Sequence, residues 1–331
     1  MLRISVMTPL QSGAEALPKL YASLVVQSIQ NFEWIIVDDN TDDNTEEIIQ
    51  EILDQAPFPV TYARYEQRVG KSSVDNTLLD LAQGDKVIWC QPDEHLISSA
   101  LEILLNFWDD IPTEEQDKYI SVIALSEDEN GTAKTSSLQY FKSMNFSWKD
   151  ALTFHKKTTN SCFMLNRKLL DNARFLEIDL DIPEEMFWQQ FQYKQVISIP
   201  NVLKVIPKRT DNPTYEAPKI KHSRGKAYTI LHMDKKGFLE NSFKKQLDIA
   251  SHLIRYAIHG DLDLAWINKE FGAPSKQFSF RLGTVLGKGY ALRDRFQKRV
   301  EKTHLLFDQG KGTRPKVVKI NRFKESDKKH H

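Results

Sequence analysis

Glu33-Trp34-Ile35-Ile36-Val37-Asp38-Asp39-Asn40-Thr41-Asp42-Asp43-Asn44-Thr45 is a short apolar run that feeds an acidic turn and then a helix start. Trp34 to Val37 have the unbroken apolar character of a strand buried on both faces of a parallel sheet. Asp38 and Asp39 follow at the carboxyl end of that strand, the edge of an open α/β sheet where ligands bind. Asn44 is expected to cap the next helix, with Glu47 three residues on. A carboxylate at this edge has the chemistry to accept the imide N–H of a uracil or a ribose hydroxyl. The alternative is a solvated acidic turn.

Working outward, strand and helix patterns alternate. Strands are expected at 3–8, 33–38, 60–65, 86–90 and 119–125, and helices at 15–27, 45–54, 72–82 and 98–108. This order predicts an α/β fold with a mostly parallel sheet covered by helices on both faces. Further on, Ser161 to Asn166 reads as a strand, and a helix begins at Pro183-Glu184-Glu185, with proline at a favoured first-turn position. Gln195 to Ile199 reads as another strand. The polar stretch 126–160 reads as an irregular hairpin, and 205–225, with three prolines and many charges, as a loop. From Gly237 the pattern turns helical, over 238–259 and 278–306.

The first segments resemble glycosyltransferase family 2, the inverting nucleotide-sugar enzymes with the GT-A fold. The residues that carry the resemblance are Ile4-Ser5-Val6-Met7-Thr8-Pro9, then Ser23-Leu24-Val25-Val26-Gln27, then Ile35-Ile36-Val37-Asp38-Asp39-Asn40-Thr41-Asp42-Asp43. The likeness covers about residues 3–110 well and about 150–205 loosely. It implies a catalytic domain over 1–225, with a helical basic region over 226–331 outside it.

The resemblance also implies roles. Thr8, Pro9, Asp38 and Asp39 would seat the nucleoside. Trp89-Cys90-Gln91-Pro92-Asp93-Glu94-His95 occupies the place of the family's Asp-x-Asp, whose carboxylates hold Mn²⁺ or Mg²⁺ against the donor diphosphate. Gln91 replaces the first Asp, which leaves Asp93 as the expected metal ligand, with Gln91 and Pro92 beside the nucleotide sugar. Oxygen ligands suit such hard cations, and the ion offsets charge on the leaving group. Arg68 or Lys71 would take an anion-binding role, because Asp75 stands where the family often has Arg before Asn76. Glu185, or its neighbour Glu184, matches the carboxylate that activates the acceptor hydroxyl. His222, in Lys219-Ile220-Lys221-His222, matches a residue some relatives close over the diphosphate and metal.

Composition narrows the class. The chain has 331 residues, 40% hydrophobic and 27% charged, enough for one catalytic domain and an appendage. Met1 leads straight into the first strand, so no signal peptide is expected, and no apolar run approaches the roughly 20 residues of a membrane span. Two isolated cysteines, Cys90 and Cys162, fit a reducing cytosol. The zero net charge hides a split: from Arg281 onward there are 15 Lys and Arg against 5 Asp and Glu, a balance of +10, against −10 for residues 1–280. A basic tail on an acidic body suggests an anionic partner, such as the inner face of a membrane, or else packing and homo-oligomer contacts through the terminal helices. No nucleic-acid motif accompanies the basic residues.

The expectation is therefore a cytoplasmic, peripherally attached transferase moving a sugar from a UDP-sugar to a cell-envelope glycan or lipid-linked acceptor. Two rivals stand beside it. A nucleotidyltransferase would need a Gly-rich basic signature after the first strand, where Pro9-Leu10-Gln11-Ser12-Gly13-Ala14-Glu15 has one glycine and no base. A catalytically inactive sugar-binding scaffold would explain Gln91.

Overall fold

The computed structural model describes residues 2–11, 13–41, 44–131, 144–147, 161–171, 173–175, 177, 185–191, 193–207, 223–235, 242–271, 277–296 and 317–322. The chain divides into two units. The first comprises Met1–Phe175, Phe191–Thr210 and Thr313–His331, and the second Leu176–Gln190 and Asp211–Gly312.

In the first unit, the apolar runs become β1 (Ile4–Leu10), β2 (Phe32–Asp38), β3 (Val60–Tyr65) and β4 (Lys86–Trp89). Between them lie α1 (Leu17–Val25), α2 (Thr45–Gln55) and α3 (Lys71–Leu81). All seven residues of β1 and of β2 are buried, which is why Trp34 to Val37 read as an unbroken apolar run. β2 and β4 flank β1, β3 lies beyond β2, and all three pairings are parallel. The chain thus winds one way from β1 through β2 to β3 and returns to the other side with β4. That reversal opens a crevice at the carboxyl ends of the strands.

The rest of the unit adds β5 (His95–Leu96), α4 (Ala100–Asp109), β6 (Tyr119–Asp128), β7 (Met144–Ser147), β8 (Cys162–Asn166), α5 (Arg167–Leu170), β9 (Gln195–Ile206) and β10 (Val317–Arg322). The ten-stranded sheet runs β10-β3-β2-β1-β4-β8-β6-β9-β5, with β7 on β9. β8 lies antiparallel to both β4 and β6, and β6 and β9 are parallel. β9 continues to Ile206, past the Ile199 limit expected from its pattern, and this places Lys204 inside a strand. Val317–Arg322, from the basic C-terminal stretch, pairs antiparallel with β3.

Two residues of the family-like opening are structural. Gln27 donates to the carbonyls of Ser23 (2.9 Å) and Ile97 (2.8 Å) and accepts the Leu101 N–H (3.1 Å), tying the end of α1 to the start of α4. The Ser23 hydroxyl donates to Leu20 O and accepts the Leu96 N–H. The Asn44 cap does not form: Asn44 stands at the N-cap of α2 but makes no side-chain capping bond. Beside that end the hydroxyls of Thr41 and Thr45 share a 2.6 Å hydrogen bond.

The second unit holds α6 (Glu185–Trp188), α7 (Ser223–Lys235), α8 (Phe243–His259), α9 (Leu264–Phe271) and α10 (Gln277–Phe296). Its core gathers Ala227, Leu231, Leu253, Ile254, Ala257, Ile267, Phe271 and Phe280. α10 lies against α8 through glycines: a Cβ on Gly283 would stand 2.6 Å from the Ala250 Cβ, and one on Gly287 2.6 Å from the Ser251 carbonyl. Arg255 of α8 clasps Asp294 of α10 with two bonds of 2.5 and 2.8 Å, and His259 approaches the same carboxylate at 3.0 Å. The loop expected over 205–225 falls outside the described residues from 208 to 222, as does most of the hairpin expected over 126–160.

Candidate active site

The carboxyl ends of β1, β2 and β4 bring the sequence-selected residues of the first unit to one edge. Thr8 and Pro9 lie in β1, both buried; the Thr8 hydroxyl accepts the Trp34 indole N–H at 2.9 Å and so serves the core. Asp38 is fully buried. Its oxygens accept the Thr41 N–H (2.8 Å), the Thr41 hydroxyl (3.1 Å) and the Tyr62 hydroxyl (2.8 Å), and the Arg64 Nε stands 3.7 Å away. A carboxylate so occupied shapes the turn. Burial, followed by this carboxylate, pushes the Tyr62 phenol well up.

Asn40 adopts φ 57°, in the left-handed region, and this reverses the chain straight after Asp39. The Asp39 carboxylate accepts the Val69 N–H at 2.6 Å, the Gly70 N–H at 3.1–3.2 Å and the Gln11 amide at 3.4 Å. It thereby pins the loop between β3 and α3 to the tip of β2. Gly70 caps α3 with φ 82°, a conformation that favours glycine and lets its N–H meet Asp39. Burial raises the Asp39 pKa, against the pull of the Val69 and Gly70 amides and the Arg68 guanidinium. Arg68 itself is exposed.

Lys71 is drawn to Asp75, one turn along α3, at 2.5 Å, and its ammonium lies 5.8 Å from the centre of the Phe175 ring. The Trp89 indole donates to the same buried Asp75 at 3.1 Å. Asn76 makes paired bonds with the backbone of Phe175, donating to its carbonyl (3.0 Å) and accepting its N–H (2.8 Å).

After β4, Gln91-Pro92-Asp93-Glu94 forms a tight turn. The Glu94 N–H donates to Gln91 O at 3.1 Å, and the Glu94 carboxylate accepts the Gln91 N–H at 3.0 Å. The Lys204 ammonium, arriving from β9, donates to the same oxygen at 2.9 Å, with both side chains buried. Burial presses the Lys204 ammonium down, but the charges around it, Glu94 foremost, together hold the lysine above its usual range. Glu94 is thus spent inside the fold. Asp93 is exposed, Gln91 half-buried and Pro92 buried. Cys90 and Cys162 are buried free thiols, Cys162 pushed up to about 12 by burial. The sequence reading missed Lys204, although a lone lysine inside the run Val202-Leu203-Lys204-Val205-Ile206 was a visible signal.

Among the described residues no group of three or more His, Cys, Asp or Glu could hold a metal ion. Asp93 is the one carboxylate of the Gln91–Glu94 turn that this packing leaves uncommitted. That suits Mg²⁺-like binding, in which one or two carboxylates act together with substrate phosphates. Glu185 lies in α6 of the second unit. Glu184 and His222 lie outside the described residues.

A reversing parallel sheet with a pinned loop and an acidic turn at its carboxyl edge defines an α/β protein of GT-A type. Residues 5–173, just over half of the chain, match the family Glycosyl transferase family 2. The chain belongs to that family.

Solved structures agree on the fold. S. aureus TarS 1–349 in complex with UDP-GlcNAc is similar over 98% of both chains, with TM-score 0.61 and 13% identity. The complex of the same protein with UDP gives 0.57 and 16%, again over 98% of each chain. Against the longer S. aureus TarS structure the TM-score is 0.54 at 14% identity, covering 86% of this chain and 55% of that one. No curated protein matches the chain.

Proposed function

We propose that this protein is an inverting glycosyltransferase that moves a sugar, a hexose or N-acetylhexosamine, from a UDP-sugar to a hydroxyl of a cell-envelope glycan or lipid-linked acceptor. The observation that carries the reading is the meeting, at one sheet edge of a family 2 chain, of the Asp39-pinned loop and the Gln91–Asp93 turn. The UDP and UDP-GlcNAc complexes of the structurally similar TarS support the choice of nucleotide.

In this reading Asp39 and the loop it holds seat the nucleoside, and Arg68 meets the phosphates. Lys71 is committed to Asp75 and contributes through α3. Asp93 would hold Mn²⁺ or Mg²⁺, which supplies charge neutralisation for the departing diphosphate. Glu185, or alternatively Glu184, takes the acceptor proton as it attacks the anomeric carbon; this assignment rests on the resemblance. We place the catalytic domain in residues 1–225, treat 226–331 as the appendage, and assign the protein to the cytoplasmic face of the membrane. No described helix is long and apolar enough to cross a membrane.

The test is a donor screen that detects released UDP, GDP or CDP with and without Mn²⁺. The expected result is UDP release that Asp93→Ala abolishes and Asp39→Asn weakens through donor affinity. A lost charge-assisted bond of the Asp39 kind costs about 1.5–3 kcal/mol. UDP binding without turnover of any donor would favour the inactive scaffold, the reading that Gln91 motivates.

A further inference from the structure

Helix α10 is turned the opposite way from an ordinary surface helix. Its buried stripe is made of small residues, Ser279, Gly283, Gly287 and Ala291, one turn apart, and the glycines let it approach α8 closely. Apart from Phe280, which is buried in the core of the second unit, four of its large apolar residues face water: Leu282 is 40% exposed, Val285 68%, Leu286 38% and Leu292 57%. At spacings of three, four and ten residues they lie along one side. Arg281, Lys288, Arg293 and Arg295 are exposed around them. The single acid of the helix, Asp294, is fully buried and committed to Arg255 and His259. Tyr290 does not belong to the exposed stripe: it is half-buried, with its ring 6.1 Å from that of His252 on α8.

An apolar strip of this kind, rimmed by polar residues, marks a contact surface. We propose that the outer face of α10 docks onto an anionic lipid surface. Charge selects the occupant. A two-fold contact with a second copy would set this patch against itself and bring its cations together, whereas anionic headgroups neutralise all four while the leucines and valine enter the acyl boundary. The helix carries too much charge to span a bilayer and would lie in the interface. The inference stands apart from the donor reading, because vesicle binding is measured without turnover.

The experiment is co-sedimentation of the full chain with vesicles of phosphatidylcholine alone, and of phosphatidylcholine mixed with phosphatidylglycerol, at low ionic strength. Two double variants, Val285→Ser/Leu292→Ser and Arg281→Gln/Lys288→Gln, change only exposed side chains, and unchanged circular dichroism confirms that they fold. The expected result is binding to the mixed vesicles alone. Removing two cations should weaken it about 25-fold, at about fivefold per cation, and the apolar variant should weaken it by at least about tenfold. Equal binding to neutral vesicles, no binding to either, or unchanged binding by both variants would overturn the proposal. So would a stable dimer in sedimentation velocity that Val285→Ser/Leu292→Ser dissolves while vesicles are ignored.

Discussion

Lys204 and Glu94, 110 positions apart, form a buried ion pair beneath the turn that presents Asp93. Such pairs contribute little net stability, because desolvation offsets their attraction, but removing one partner strands a buried charge. Lys204→Met should therefore destabilise the protein by about 3–5 kcal/mol, read by urea unfolding. Lys204→Met/Glu94→Gln should recover most of that loss. If turnover stays low in the recovered double variant, the pair positions the turn; full activity would confine it to stability. Lys86 offers a pH test. It is buried, lies 4.1 Å from the centre of the Trp108 ring, and donates to Gln116 at 3.0 Å. Burial lowers its pKa from 10.5 to about 8. Between those values the folded chain has released a proton that the unfolded chain still binds, so folding stability contributed at this site rises with pH. Relative to Lys86→Met, the wild type should gain stability as pH climbs from about 8 toward 10.5; parallel profiles for the two proteins would remove Lys86 as the cause.

At the scale of elements, glycines decide two close approaches. A Cβ on Gly84 would lie 2.5 Å from the Ile4 carbonyl carbon, so the turn before β4 has no room for a side chain against β1. Gly287 does the same between α10 and α8, where a Cβ would meet the Ser251 carbonyl at 2.6 Å. Backbone atoms cannot rotate aside, so Gly287→Ala should cost about 1–3 kcal/mol. It should lower the melting temperature, while Gly289→Ala on the same helix, with nothing within 4 Å of its Cβ, should not. Equal stability of the two variants would mean that the helices slide apart freely. The helical pattern expected over 278–306 forms α10 at Gln277–Phe296, with 297–306 outside the described residues, but its inward face was not legible in the sequence. The close approach of α8 sets Gly283 and Gly287 inward and leaves Leu282 and Leu286 outward.

For the whole molecule, the last strand matters most. β10 covers the edge of β3 that would otherwise present unpaired backbone groups. Truncation after Gly312 should lower the melting temperature and promote aggregation, checked by light scattering on heating. A truncated chain that stays monomeric with unchanged melting would show that β10 contributes nothing to the sheet. The basic stretch that contains it reads as one tail in the sequence, yet Val317–Arg322 returns to the first unit while α10 belongs to the second.

The sequence by itself determined the parallel block β3-β2-β1-β4, because short strand patterns rich in apolar and β-branched residues alternate there with helical ones. It also determined the family, through Thr8-Pro9, Gln27 and Asp38-Asp39. It could not say what those residues touch. Asp38 answers to Thr41 and Tyr62, Asp39 to the amides of Val69 and Gly70, Lys71 to Asp75 and Glu94 to Lys204. A carboxylate has the same letter whether it meets solvent, a ligand or a buried ammonium. Only tertiary packing decides between them, because it brings strands distant in sequence within hydrogen-bond reach and makes an unpaired buried charge too costly to leave.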